Sequence, residues 1–262
     1  MMFPLYTLAY AGAALCAGPF YLVRGLRTGK YLWSLADRLG RVRFDQAAKT
    51  GPCVWIHALS LGEVVSASEL AHRLEAEGYQ VCLSTTTRSG YEAARERLSS
   101  TMPCLCFPLD WPPAVSRALN AVKPDLFILV ETDIWPNFLA GLAARKIPAL
   151  LVNGRVSPRS LAGYKMIKPL WTRVLGLFDF IACQSALDRE RMLSLGARPD
   201  KVVVTGSLKH DRPIPKTGSL VRAALLAETG LPDGLWLVGG STHPGEDEAL
   251  LQIFQDLRSN RP

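Results

Sequence analysis

The sequence predicts an α/β protein in which a parallel β-sheet is covered by helices on both faces. Three observations carry that prediction. From Cys53 onward, short apolar runs alternate with helix-patterned stretches of about 10–15 residues, the spacing of repeated strand–helix units. The runs are largely continuous in their apolar character, as strands buried on both faces are. Most of them end in polar groups, and in an open parallel sheet all such ends lie on one edge, where ligands bind.

The first run is Val54-Trp55-Ile56, followed by Ser60-Leu61-Gly62-Glu63. Gly62 has the conformational freedom for a sharp turn at the strand's carboxyl end. Val65, Leu70 and Leu74 then fall roughly at helical spacing, which puts Glu63 in the first turn of a helix, pointing into the crevice of the sheet. Two readings are open for Glu63. It complements the helix macrodipole, worth a few tenths to about 1 kcal/mol, or it serves as a general base in a cleft.

Residues 80–87 read as a strand ending in Ser84-Thr85-Thr86-Thr87, with a helix rich in Glu and Arg over 89–98. Residues 104–109 form another apolar run, broken by Asp110-Trp111-Pro112-Pro113; a helix starts at these prolines, where a missing N–H costs little. Strands are expected over 125–130, 149–152, 180–183 and 201–205. Polar groups close them in turn: Glu131, Asn153 with Arg155, Gln184 with Ser185, and Lys209. Ser60, Glu63, Thr86, Glu131, Arg155 and Lys209, far apart in sequence, are thereby expected at one crevice. Several have bland alternatives. Glu131 serves equally as a helix N-cap or first-turn acid. Asp110 fits a helix cap better than a catalytic role, and Trp135 fits packing at a helix start better than stacking on a sugar. Arg155, Arg159 and Lys165 suit either phosphate contacts or a solvated face. Ser60 has no inferable His/Asp arrangement that would make it a nucleophile.

Arg212-Pro213-Ile214-Pro215-Lys216-Thr217-Gly218 reads as a linker. A helix over 219–228, a strand over 235–238, a Gly-rich turn and an amphipathic helix to Leu257 follow. One strand and two helices cannot bury a domain-sized core, so this portion is expected to be the opening of a second domain.

At the other end, residues 4–23 carry no charge, and about 20 such residues can span a bilayer as a helix. Arg24, Arg27, Lys30, Arg38, Arg41 and Arg43 follow against one acid, Asp37. No basic residue precedes the apolar run, so it lacks the pattern of a secretory signal. The positive-inside rule places the N-terminus outside and the remainder in the cytoplasm; a buried core helix is the alternative, and the basic flank, with Tyr31 and Trp33 suited to the interface, weighs against it. The expected division is a membrane anchor at 1–24, a basic juxtamembrane segment at 25–50, an α/β domain at 51–212, and a linker with the beginning of a second domain at 213–262.

Composition narrows the function classes. The 262 residues are 48% hydrophobic and 20% charged, with a net charge of +7. That balance suits a globular protein with an anionic partner. No zinc-finger spacing or aromatic ribonucleoprotein motif is present, which argues against nucleic acid. The six cysteines, Cys16, Cys53, Cys82, Cys104, Cys106 and Cys183, form no C-x-x-C pair and sit mostly in apolar runs. They read as buried reduced thiols in a reducing compartment. The four histidines have no metal-ligand spacing.

Seven motifs occur in order: His57-Ala58-Leu59-Ser60-Leu61-Gly62-Glu63, Thr85-Thr86-Thr87-Arg88-Ser89-Gly90, Pro108-Leu109-Asp110, Glu131-Thr132-Asp133-Ile134-Trp135-Pro136-Asn137, Asn153-Gly154-Arg155-Val156-Ser157, Gly206-Ser207-Leu208-Lys209 and Gly240-Ser241-Thr242-His243-Pro244-Gly245-Glu246. Together they make the chain resemble the 3-deoxy-D-manno-octulosonic acid (Kdo) transferases of lipopolysaccharide synthesis. The resemblance runs from the N-terminal segment to the last helix, with small departures at Gly154 and Val156, where the family more often has Ala and Leu. It implies a GT-B glycosyltransferase of two Rossmann-like domains at the cytoplasmic face of the inner membrane. Such an enzyme moves Kdo from CMP-Kdo to a lipid A precursor with inversion and without a metal or cofactor. By the same resemblance Glu63 matches the general base, and Glu131 and Lys209 match positions of transition-state stabilisation. Ser60, Gly62, Thr86, Arg155, Ser241, Thr242 and His243 are the expected substrate-binding residues. The family's second domain continues well beyond the length seen here, so the sequence also admits a catalytically incompetent fragment that binds lipid or a membrane partner. A different GT-B enzyme, such as a nucleotide-sugar epimerase, is the remaining alternative.

Overall fold

The computed structural model describes residues 3–28, 32–44, 51–211, 219–232, 234 and 236–260. The chain divides into two compact units, Met1–Arg212 and Pro213–Pro262. In the first, α1 (Pro4–Thr28) is followed by a short 3-10 turn and α2 (Leu35–Arg38). The alternation expected from the sequence then runs β1 (Cys53–His57), α3 (Leu61–Ala76), β2 (Gln80–Thr85), α4 (Arg88–Arg97), β3 (Cys104–Cys106) and α5 (Pro112–Val122). It continues with β4 (Leu126–Val130), α6 (Pro136–Ala144), β5 (Ala149–Gly154), α7 (Pro158–Met166), α8 (Lys168–Leu175), β6 (Phe180–Cys183), α9 (Ala186–Ser194) and β7 (Val202–Val204).

All seven strands are parallel, in the order β3-β2-β1-β4-β5-β6-β7. The chain winds outward from β1 to β3 and then crosses back to β4, so the order reverses between β1 and β4. Alternate residues of each central strand enter different cores. Trp55, Phe127 and Leu129 belong to one cluster, while Val54, Ile56, Ile128 and Val130 belong to the other. This period-2 division is why the strands read as continuous apolar runs. Trp55 centres the first cluster. Its ring meets Phe107, Phe127 and Phe138 edge-on, and its Nε1–H donates to Ser84 Oγ at 2.7 Å.

Helix α1 forms where the apolar stretch predicts a helix, but its role is different, and the single-pass anchor expected over 1–24 is corrected. Among the described residues no helix is long and apolar enough to cross a membrane. The first turn of α1 is also part of the domain. Phe3 is buried in the first core cluster, the Thr7 hydroxyl donates to Asn137 Oδ1 at 2.9 Å, and Tyr6 is hydrogen-bonded to the buried Asp110. An N-terminus on the far side of a bilayer cannot make these contacts. Tyr, Thr, Gly and Pro19 dilute the apolar character of the segment, which continues past its docked turn with Leu8, Leu15 and Phe20 exposed.

The basic segment also belongs to the domain where it is described. Arg38 Nη2 donates to the Thr86 carbonyl at 2.6 Å, and Asp37 Oδ2 accepts the Cys106 N–H at 3.1 Å. Trp33 packs edge-on against Tyr91 of α4. Tyr31 and Lys30 lie outside the described residues. Gly40 closes this segment against α5 with φ +80°, and a Cβ there would stand 2.1 Å from the Ala114 carbonyl oxygen. Gly40→Ala is therefore expected to lower the unfolding free energy by at least about 2 kcal/mol, read as a lower urea midpoint at unchanged slope.

The second unit contains α10 (Ser219–Thr229) and α11 (Glu246–Asn260). The linker expected over 212–218 lies outside the described residues, as does Leu235. The strand expected over 235–238 does not form at 236–238. No second strand pairs with it among the described residues of this unit, Leu237 and Val238 are exposed, and Trp236 donates to the Pro232 carbonyl instead.

Candidate active site at the switch between β1 and β4

In an open parallel sheet the crevice for a ligand lies outside the carboxyl ends of the strands, where the strand order reverses. Here that point falls between β1, which leads into Glu63, and β4, which leads into Glu131. Ser60 is the N-cap of α3 and Glu63 its third residue, the spacing of a capping box. Glu63 is only 9% exposed. Its Oε2 accepts the Leu59 N–H at 2.7 Å and its Oε1 accepts the Ser60 hydroxyl at 3.1 Å. Burial raises its pKa to about 7, and the negative charges of Glu131 and Asp133 add to the rise; the bonds from Leu59 and Ser60 oppose it only in part. Gly62 meets nothing within 4 Å of where a Cβ would stand, so the chain beside Glu63 faces open space.

The β2–α4 turn is tied to the same loop. The Leu59 carbonyl accepts the Thr85 hydroxyl at 2.9 Å and the Thr87 N–H at 3.3 Å. Thr87 caps α4. Between them the Thr86 carbonyl is held by Arg38, and Thr86 Oγ1 is buried without a hydrogen-bond partner among the described residues.

Across the switch point, Glu131 adopts φ +63° and Asn153, at the end of β5, adopts φ +56°. Left-handed backbone is uncommon outside glycine, and asparagine is among the residues that tolerate it. The Glu131 N–H donates to the Val152 carbonyl at 2.9 Å, and Asn153 Nδ2 donates to Glu131 Oε1 at 3.4 Å. Lys209 is exposed in a 3-10 turn, Leu208–His210, whose Leu208 packs against the apolar cluster beneath α3. Arg155 is exposed, with its carbonyl accepting the Thr132 hydroxyl at 2.7 Å. Ser60, Gly62, Glu63, Thr86, Glu131, Arg155 and the Lys209 turn thus share the carboxyl edge of one sheet. Arg159 and Lys165 are exposed on α7. Ser241, Thr242 and His243 belong to the second unit, where Glu246 Oε2 accepts the His243 N–H at 2.8 Å at the start of α11.

Sequence reasoning assigned no role to His57 or Asp133. His57 is fully buried, stacked on Phe107 with ring centroids 3.8 Å apart. Its Nδ1 lies 3.0 Å from Ser84 Oγ, and its Nε2 lies 3.3 Å from Asp133 Oδ2. Asp133 also accepts the Trp135 indole Nε1–H at 2.9 Å, so Trp135 packs at the start of α6, and the loop after Glu131 is fastened to β1. The available signal was a histidine and an aspartate at two strand ends that the topology makes neighbours. Asp110 does cap a helix, but a distant one. Its carboxylate accepts the N–H groups of Asn137 and Phe138 at 3.0 and 2.7 Å, at the N-terminus of α6 rather than of α5. Among the described residues no group of three or more His, Cys, Asp or Glu side chains is placed to hold a metal.

A doubly wound parallel sheet with a buried carboxyl at its switch point is the architecture of the Rossmann-like class. Residues 34–212 match the family model described as 3-deoxy-D-manno-octulosonic-acid transferase (kdotransferase), and the chain belongs to that family. It is 32% identical over 265 residues to a 3-deoxy-D-manno-octulosonic acid transferase of Bordetella pertussis, covering 98% of this chain and 60% of that protein. Against the transferase of Haemophilus influenzae the identity is 30% over 242 residues, covering 90% of this chain and 56% of that one. A bifunctional glycosyltransferase/methyltransferase of Fusobacterium nucleatum is 33% identical over 79% of this chain and 33% of its own length. The chain therefore spans between a third and three fifths of these curated relatives. Among solved structures, the UDP-GlcNAc 2-epimerase of Neisseria meningitidis superposes with a TM-score of 0.47 at 14% identity, over 69% of this chain and 55% of that one.

Proposed function

We propose that this chain is the acceptor-side half of an inverting GT-B glycosyltransferase that moves Kdo from CMP-Kdo to a lipid A precursor. The observation that carries the reading is Glu63: a carboxyl buried at the switch point, with a pKa raised to about 7, in a chain of the Kdo transferase family. A sugar hydroxyl attacks well only while a base removes its proton, and a carboxylate poised near the working pH suits that task. The hydroxyl proton goes to Glu63. The hydroxyl oxygen forms the new bond to the anomeric carbon of Kdo as the bond to the CMP phosphate oxygen breaks on the opposite face, inverting that centre. The departing phosphate gathers negative charge, which a cation at Lys209 stabilises. Glu131 lies across the crevice, where a second carboxylate stabilises positive charge developing on the sugar ring. The reaction draws on these side chains and needs no cofactor. Ser60 and Thr86 line the acceptor side, Arg155 suits the acceptor's phosphates, and Ser241, Thr242 and His243 contribute to the donor side. The protein works at the cytoplasmic face of the inner membrane, with the exposed apolar residues of α1 lying against the lipid surface rather than spanning it.

The test is Kdo transfer from freshly generated CMP-Kdo to a lipid A precursor in detergent, by the protein carrying this chain, with the anomeric configuration of the product read by NMR. Transfer with inversion is the expected result. Lipid binding without transfer would replace this reading with that of a binding module.

A further inference from the structure

We infer that Asn153 is a positioning residue that couples the Glu131 carboxylate to the turn carrying Lys209. The inference rests on the proposed reaction for its functional meaning and on geometry for its substance. Asn153 is 1% exposed at the carboxyl end of β5, and its amide is used at both ends. Nδ2 donates to Glu131 Oε1 at 3.4 Å, and Oδ1 accepts the Leu208 N–H at 3.1 Å. The partners fix the orientation of the amide, since a carboxylate needs a donor and an N–H needs an acceptor. The Asn153 carbonyl accepts Gln184 Nε2 at 3.1 Å, which ties the residue to the end of β6. One residue thus joins three segments, two of them through its side chain, and those two carry proposed charge-bearing groups of opposite sign. Asparagine meets both demands of the position: it tolerates φ +56°, and it presents a donor and an acceptor from one planar group.

Two variants separate positioning from folding. Asn153→Gly keeps the left-handed backbone and deletes both bonds. Asn153→Asp keeps an acceptor for Leu208 but replaces the donor to Glu131 with a second carboxyl. Hydrogen exchange at the Leu208 amide reads the bridge independently of catalysis. It is expected to be faster in Asn153→Gly and near wild type in Asn153→Asp.

In Kdo transfer, Asn153→Gly is expected to lower kcat about 10- to 100-fold, the scale of a misplacement of about 1 Å. Its KM should stay within about threefold, because substrate binding itself is not removed. Asn153→Asp is expected to approach wild-type kcat only at acid pH, where two adjacent carboxyls share a proton and the new group donates to Glu131; it should fall progressively behind as pH rises. Unchanged Leu208 protection in Asn153→Gly, or wild-type kcat and pH profile in both folded variants, would overturn the inference. A wild-type protein with no transfer, but with Leu208 released in Asn153→Gly, would overturn the proposed reaction and leave the bridge standing.

Discussion

Glu63→Gln is expected to remove transfer activity and to stabilise the protein at neutral and alkaline pH. The two effects have one origin. The carboxyl is buried, so its charged form is disfavoured and its pKa stands near 7 instead of the ordinary 4.5. As a base it acts only when deprotonated, so wild-type turnover should fall about tenfold per pH unit below pH 7. Glutamine has no proton-accepting carboxylate, and the loss expected in kcat is about 10²–10⁴-fold. The stability effect has the opposite sign. Below pH 4.5 the carboxyl is protonated in both the folded and unfolded chain, and charge costs nothing. Between 4.5 and 7 the unfolded chain has released the proton while the folded chain still holds it, so stability declines as pH rises. Above pH 7 the folded protein carries the whole cost, on the order of 3 kcal/mol for a shift of this size. Glutamine escapes that decline while still accepting from the Leu59 N–H. Urea unfolding of both proteins from pH 5 to 8.5 should show curves that diverge with rising pH, the variant lying higher. If Glu63 is only a helix-terminus charge, the variant would instead be slightly less stable across this range and retain its turnover.

Asp110→Ala is expected to cost on the order of 3–5 kcal/mol, the largest stability loss of any single side chain in the site region. The carboxylate of this 1%-exposed residue accepts two backbone N–H groups at the start of α6 and the Tyr6 hydroxyl. Burial pushes its pKa up, and those donors pull it back only in part. Removing the carboxylate strands buried donors that water cannot reach. Tyr6→Phe removes one hydrogen bond and leaves the cap of α6 intact, so about 1 kcal/mol is expected. Denaturant midpoints at constant slope measure both. A cost near 1 kcal/mol for Asp110→Ala would mean that α6 is held by packing alone.

The sheet was legible because each central strand is buried on two faces, which leaves an unbroken apolar run such as Val54-Trp55-Ile56 whose boundaries polar residues mark. The place of Glu63 in the first turn at the sheet edge was legible for the same reason: a glycine and an acid directly after such a run have few places to go. What sequence could not supply was tertiary. Asp110 precedes Pro112-Pro113 and reads as a cap for the helix they begin, yet it caps α6, whose N-terminus only the fold brings near. His57, Asp133 and Asn153 look like ordinary strand-end residues until the order of the sheet makes β1, β4 and β5 neighbours. Residues 4–23 met the length and charge pattern of a membrane span, and no local rule reveals that Phe3 and Thr7 have partners in the interior. At 236–238 the expected strand failed from the opposite cause: an apolar run needs a neighbour to pair with, and among the described residues of that unit there is none.

The contact between Thr7 and Asn137 joins residues 130 positions apart. The first turn of α1 is made long before Asn137, so the bond from Thr7 cannot form until α6 exists. Closing so long a loop is entropically late. Docking of this turn is therefore expected to come late in the assembly of the domain. Until then the Phe3 side chain, buried in the finished domain, stays uncovered.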